Sequence, residues 1–263
     1  MSRYAATFDR LRARDEGALG AFVMLGDPAG GSDVLDRLVA AGADMLEVGI
    51  PFSDPVADGP TIQAAADRAL AAGTRPADCF ALLAAFRARY PEVPVGILTY
   101  ANLVLSPGRD AFYAAAATAG VDSVLVADAP ALEAEPFAAA ARAHRVDHVM
   151  IAATNTPAAT LARIAALGAG YTYCVARAGV TGAETEMRLD HADLFTALAD
   201  SGAPPPILGF GISTPDHVRR ALAAGAAGVI SGSAIVHRLA TGEDVAALVR
   251  ALKWATTSTH RSP

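Results

Sequence analysis

Lysine is almost missing from this sequence. Among 21 basic residues only Lys253 is a lysine; the rest are arginine. Carbonyl chemistry through a Schiff base needs a lysine amine. Lys253 falls in a helical pattern beyond the last apparent strand, so that route is disfavoured. Metal spacing is missing as well: His144, His148, His191, His217, His237 and His260 form no H-x-H or H-E-x-x-H pattern, and no metal is expected. The two cysteines, Cys79 and Cys174, stand alone and fit small buried hydrophobes in a reducing cytoplasm better than a disulfide. With a net charge of -6 and no cluster of Lys and Arg, a nucleic-acid surface is not indicated. No near-continuous apolar run of about 20 residues, as a membrane span requires, is present. The first 19 residues carry charges throughout and lack the apolar core of a secretory signal, so the expected location is the cytoplasm.

Small apolar residues are plentiful instead. Hydrophobic residues make up 53% of the 263 and aromatics only 6%, while alanine alone is roughly a quarter, far above the usual share. The length suits one large α/β domain of about 250 residues, covering 1–263 with a polar tail at 256–263. Short apolar runs predict strands at 22–25, 45–48, 95–99, 123–126, 148–152, 171–175, 207–209 and 228–230. Helical patterns fall between them, at 33–41, 61–72, 77–90, 110–119, 132–144, 158–167, 189–199 and 215–224, with a last one at about 244–254. Helix-closing turns recur at Ala41-Gly42-Ala43-Asp44, Ala119-Gly120-Val121-Asp122, Leu167-Gly168-Ala169-Gly170 and Ala224-Gly225-Ala226-Ala227. In each, a glycine after the last helical turn can supply the left-handed conformation. Eight such units predict an α/β fold, a closed (β/α)8 TIM barrel with an extra N-terminal helix. An open doubly wound sheet is the alternative.

In such a barrel, chemistry sits at the C-terminal ends of the strands. Glu47 lies inside a short apolar strand, where a carboxylate is costly unless paired or functional. Strand alternation puts Met45, Glu47 and Gly49 on one face. If that face is the interior, desolvation raises the Glu47 pKa and suits it to proton transfer near neutrality. The other reading is a glutamate hydrogen-bonded to a nearby hydroxyl or tyrosine. The loop 50–60 is long for a βα connection and holds Asp54 and Asp58. Asp58 precedes a helix starting near Pro60, so a cap or turn role is its alternative. Glycine turns at 179–182, 209–213 and 231–233 come late in the chain. The last two follow strands seven and eight, where backbone amides and a short helix starting at Ser233 can surround a phosphate. Tight turning alone would also explain them.

The segments Leu25-Gly26-Asp27-Pro28, Glu47 through Gln63, Ala178-Gly179-Val180-Thr181-Gly182, Gly209-Phe210-Gly211-Ile212-Ser213 and Ser231-Gly232-Ser233-Ala234 resemble, in order, the signatures of the tryptophan synthase α subunit family. The resemblance runs over nearly the whole chain, and the Glu47–Gln63 stretch is its most specific part. It implies cleavage of indole-3-glycerol phosphate to indole and glyceraldehyde 3-phosphate. By the same resemblance Glu47 shuttles protons at indole C3 and the glycerol hydroxyl, and Asp58 holds the indole N–H and stabilises the developing positive charge. Phe22, Leu98, Leu125, Ala127 and Phe210 would line the indole pocket, with Tyr173 close to Glu47. Gly182, Gly211, Gly232 and Ser233 would bind phosphate. Asp54, Pro55 and Asn102 would face a β subunit in an α2β2 tetramer; that subunit would carry pyridoxal phosphate and receive the indole, while this chain would need no cofactor.

Three departures from the family pattern stand out: Ala176-Arg177 for Ser-Arg, Ala153-Thr154-Asn155 for Pro-Thr, and Gly20-Ala21 for Ile-Pro before Phe22. None touches the two carboxylates. The competing readings are a stand-alone lyase that releases free indole, a mainly regulatory phosphate-binding subunit, and another phosphate-binding barrel such as an isomerase.

Overall fold

The computed structural model describes residues 2–175 and 191–257. Eight parallel strands pair in sequence order and β1 pairs with β8, which closes the barrel and excludes the open sheet. The strands are β1 (Ala18–Met24), β2 (Met45–Gly49), β3 (Val95–Thr99), β4 (Ser123–Val126), β5 (Asp147–Ala153), β6 (Thr172–Val175), β7 (Pro206–Leu208) and β8 (Gly228–Ser231). The extra N-terminal helix is α1 (Arg3–Arg12). Around the barrel follow α2 (Val34–Ala40), α3 (Pro60–Ala71), α4 (Pro76–Arg89), α5 (Ala101–Leu105), α6 (Arg109–Thr118), α7 (Glu135–Ala143) and α8 (Ala158–Leu167). The chain continues through α9 (Ala192–Asp200), α10 (Pro215–Ala223), α11 (Ser233–Thr241) and α12 (Val245–Trp254).

Side chains of alternate strand residues divide into two apolar cores. Leu46, Val48, Ile97, Val124, Val126 and Val229 face outward and pack against the helices. Phe22, Met24, Met45, Leu125, Val149, Tyr171, Ile207 and Ile230 fill the interior. Glu47 lies between Met45 and outward-facing Val48, in register with Phe22 and Gly96, and so points inward with Met45. Helix α1 closes the N-terminal end. Its Tyr4 pairs with Ser123 at 2.9 Å and meets Tyr171 edge-on at 5.3 Å between ring centres. Arg3 and Arg87 both bind Asp122, at 2.8 and 2.6 Å, which fixes α1 and α4 to the start of β4. Gly96 is required here: a Cβ would sit 2.4 Å from Ser123 Oγ and 2.9 Å from the Tyr4 hydroxyl.

Several sequence expectations need correction. Strand β1 begins at Ala18, four residues before the expected start at Phe22. The expected helix 132–144 is a 3-10 turn, Ala131–Glu133, followed by α7 with Pro136 in its first turn, where the missing N–H costs nothing. Strand β7 stops at Leu208, before Gly209. Gly42, Gly120 and Gly225 do adopt positive φ (109°, 75° and 108°). Gly168 does not; it is extended at φ -74°, and Gly170 carries the positive φ of 78°. Gly168 is needed for close approach instead, because a Cβ would lie 2.7 Å from the Ile164 carbonyl oxygen. The expected helix 189–199 begins at Ala192; its first two residues, and the tail beyond Thr257, lie outside the described residues.

The one lysine lies at the N-terminal end of the barrel. Lys253 Nζ donates to Glu16 at 2.9 Å and to both Asp44 oxygens at 3.1 and 2.9 Å. Asp44 precedes β2, so the ammonium is at the end opposite the βα loops.

Candidate active site

Glu47 is 1% exposed. Its Oε1 accepts a 2.8 Å hydrogen bond from the Tyr171 hydroxyl. Its Oε2 has no hydrogen-bond partner among the described residues. Both readings of Glu47 therefore hold together: a tyrosine orients one oxygen, and the other keeps its lone pairs. Burial pushes the carboxyl up to about 7; the nearby Asp58 charge adds to this and the Tyr171 bond opposes it. Such a group exists in both protonation states near neutrality.

Asp58 is also buried, and burial pushes it up to about 6. The cap reading fails, since Gly59 is the residue preceding α3 and makes no side-chain cap. The Asp58 carboxylate instead accepts a hydrogen bond from Tyr100, which follows β3. The Asp58 backbone carbonyl accepts from Gln63 Nε2 at 2.7 Å, and its N–H reaches Pro55 O at 3.0 Å. These bonds close loop 50–60 on itself, while Phe52 packs on the Tyr100 ring at 5.4 Å.

Of the expected pocket residues, Phe22 and Leu125 are buried in the interior core, with Leu98, Ala127 and Tyr173 packed against it. Met24 and Ile151 join them, unexpected from the sequence. Phe210 is half-buried in the turn after β7 and is not part of that core. Tyr173 is near enough for the Glu47 and Asp58 charges to raise its pKa further, beyond the effect of burial. Its hydroxyl, however, donates to Gly209 O at 2.6 Å. The tyrosine bonded to Glu47 is Tyr171, two positions earlier and just before β6, in the same interior core. That two-residue spacing was the available signal.

The glycine turns after β7 and β8 form one unit, because Ser231 Oγ donates to Ile212 O at 2.7 Å. Gly211 turns at φ 72°. Gly232 precedes α11 and Ser233 is its first residue, so the first-turn amides there have no partner within the helix. Helix α11 packs against α3 and β1, which relates this cradle to Asp58 and Phe22. Gly182 lies outside the described residues. The expected partner-facing residues sit on the same rim: Asp54 and Asn102 are exposed and Pro55 is half-buried. Among the described residues no cluster of His, Cys, Asp or Glu could hold a metal, and no helix is long and apolar enough to cross a membrane.

A family model described as tryptophan synthase alpha chain matches residues 8–260. The chain is 53% identical to the tryptophan synthase alpha chain of Shewanella amazonensis over 258 residues, covering 96% of each. It is 55% identical over 243 residues to that of Aeromonas hydrophila, covering 92% of this chain and 91% of the relative. The crystal structure of tryptophan synthase subunit alpha from Legionella pneumophila superposes with a TM-score of 0.87 at 30% identity, over 97% of this chain and 98% of that one. A chain of Mycobacterium tuberculosis tryptophan synthase gives 0.87 at 32%, with the same coverage.

Proposed function

This chain belongs to the tryptophan synthase alpha chain family, and we propose that Glu47 and Asp58 carry the lyase reaction of that family. The reaction cleaves indole-3-glycerol phosphate to indole and glyceraldehyde 3-phosphate in tryptophan biosynthesis. The observation that supports the assignment best is the pair of inward carboxylates, one pushed up to about 7 and the other to about 6, each oriented by its own tyrosine.

Glu47 enters protonated and delivers its proton to indole C3. That turns the ring into an iminium-like electron sink, with positive charge at the indole nitrogen. Asp58, ionised, accepts the indole N–H and stabilises that charge. The Glu47 carboxylate then takes the proton of the neighbouring glycerol hydroxyl. The carbonyl of glyceraldehyde 3-phosphate forms, the carbon–carbon bond breaks, and its electron pair restores the ring. Glu47 ends as it began. The substrate provides its own sink, so neither an imine nor a metal is required.

Phe22, Met24, Leu98, Leu125, Ala127, Ile151 and Tyr173 form the apolar wall for the indole. Gly211, Gly232 and Ser233, together with Gly182, hold the phosphate through backbone amides; anchoring it fixes C3 against Glu47. A β subunit docks on the rim carrying Asp54, Pro55 and Asn102, giving an α2β2 tetramer, holds the pyridoxal phosphate and receives the indole. Val56 (66% exposed), Leu105 (46%) and Leu132 (75%) stand on that same rim, after β2, β3 and β4, which favours a docked chain over a stand-alone lyase. The two free, buried cysteines fit cytoplasmic work.

The test is indole release by Glu47→Gln and Asp58→Asn, with and without the β subunit. Each should fall by ~10²-fold or more with phosphate binding retained. Parent-like turnover in either would remove that residue from the mechanism.

A further inference from the structure

Met24 ends β1 on the interior face, is 5% exposed, and stands in register with Gly49 at the end of β2. One rung below, Phe22 is in register with Glu47. Gly49 is buried and, by strand alternation, faces inward above Glu47. The space left by its missing side chain is filled. A Cβ there would lie 2.8 Å from Met24 Cε, 2.9 Å from Met24 Sδ and 3.0 Å from Phe22 Cζ. All three atoms belong to side chains, so a flexible methionine arm rather than fixed backbone closes this stretch of wall. Phe22 is rooted on the other side, against the turn after β8: a Cβ on Gly232 would lie 3.6 Å from its Cβ. Its ring thus reaches from that turn to the end of β2, and the thioether meets the ring tip there.

We propose that Met24 is a specificity-determining residue of the site, and that its thioether excludes substrates substituted at indole C2. The inference rests on the function proposed above, and deepens it by naming which substrates the pocket refuses. Asp58 takes the indole N–H and Glu47 serves C3, and indole C2 is the atom between those two. Gly49 is the inward-facing strand residue between the two carboxylates along the chain. The ring edge bearing C2 therefore faces Gly49 and the thioether laid over it. The six-membered ring points away from β2, toward Leu125, Ala127 and Ile151. A hydrogen at C2 fits against the packed methionine, whereas a methyl there meets Sδ and Cε. Behind the thioether lies the Gly49 backbone, with no side chain of its own, so shortening Met24 opens a notch in the wall.

The test uses the reverse condensation. There indole C3 adds to the carbonyl carbon of glyceraldehyde 3-phosphate, Glu47 protonates the carbonyl oxygen, and the C3 proton returns to Glu47. Rates with indole, 2-methylindole and 5-methylindole are compared for the parent, Met24→Val, Met24→Ala, and Met24→Ala combined with Gly49→Ala. Each is read as kcat/KM for the methylated ring divided by that for indole, so the amount of folded protein cancels. In the parent, 2-methylindole should trail indole by about 100-fold, as one methyl without room can impose. The 2-methyl ratio should rise by about 10-fold or more in Met24→Ala and by a smaller step in Met24→Val, while the 5-methyl ratio moves by less than about twofold. Gly49→Ala puts a Cβ into the vacated space, so the double variant should fall back toward the parent ratio. A parent that takes 2-methylindole as readily as indole overturns the proposal. So does a 2-methyl ratio unmoved in both single variants, a 5-methyl ratio that climbs equally, or a double variant that stays as permissive as Met24→Ala. Parent-like indole turnover in Asp58→Asn would instead overturn the functional reading on which the inference stands.

Discussion

The Tyr171 hydroxyl and Glu47 Oε1 are joined by a 2.8 Å hydrogen bond inside the barrel, and the Tyr171 ring in turn rests edge-on against Tyr4 from the N-terminal helix. The bond favours the ionised form of Glu47 and so opposes the rise caused by burial. Tyr171→Phe removes that opposition. The Glu47 carboxyl then moves further above 7, and the alkaline limb of kcat/KM, which reports loss of the protonated acid, moves up with it. For the parent enzyme, activity should fall as pH rises through about 7 and as it drops through about 6, where Asp58 loses its charge. The two apparent values belong to the coupled pair. A Tyr171→Phe profile with an unmoved or lowered alkaline limb would contradict this.

Burial of Glu47 also has a stability consequence with a definite sign. Its folded pKa, about 7, lies above the ordinary 4.5. Below pH 4.5 both folded and unfolded chains hold the proton and nothing is lost. Between those values the unfolded chain releases it first, so stability declines as pH rises. Glu47→Gln keeps an acceptor for Tyr171 and removes the charge. It should stabilise the protein by on the order of 2 kcal/mol at pH 8 and by almost nothing at pH 4.5. Thermal melts at both pH values check this; equal effects at the two would refute it.

Gly209 and Tyr173 constrain each other. A Cβ on Gly209 would lie 2.0 Å from the Tyr173 ring, and the ring is held there by its hydroxyl bond to the Gly209 carbonyl. Gly209→Ala must displace the ring toward the interior, where Leu98 and Ala127 border the pocket. KM for indole-3-glycerol phosphate should rise about 10-fold or more with a smaller change in kcat, since the pocket wall moves and both carboxylates stay. Steady-state kinetics decide it.

The barrel was legible where local chemistry and tertiary demand agree. Strands β3 and β4 and helix α8 fall on the expected residues because a short apolar run, or a helical one, is bounded by Asp, Pro or Gly punctuation. The start of β1 was hidden because Ala18, Gly20 and Ala21 carry little strand signal. They are small for a reason visible only in three dimensions: at Gly20 a Cβ would sit 2.5 Å from Ile230. Glu47 and Asp58 stood out as charges in the wrong surroundings and through their family motif. Tyr171 was within reach of the two-residue spacing from Tyr173. Tyr100 was not, because its link to Asp58 joins residues 42 positions apart, through a loop whose path sequence alone does not disclose.

The same long-range logic gives the lysine its role. Lys253 bridges Asp44 and Glu16, joining the last helix to the turn before β1 and to the start of β2. Asp44 Oδ2 also accepts the Leu19 N–H at 2.9 Å. Burial pushes the Asp44 carboxyl up and the ammonium opposes it. Lys253→Met keeps the apolar stem near Gly42 and removes the charge, leaving Asp44 largely buried without its cation. The expected loss is about 2–4 kcal/mol at pH 7. It shrinks as pH falls, because Asp44 without its cation takes up a proton more readily. Adding Asp44→Asn should restore part of it at pH 7. Indole release per folded molecule should stay at the parent level, since the amine lies at the end of the barrel opposite the βα loops that carry Asp58 and the glycine turns. Loss of turnover in Lys253→Met at full folding, with borohydride trapping substrate on the parent chain, would instead place the lysine in the chemistry and displace the two carboxylates as its sole agents.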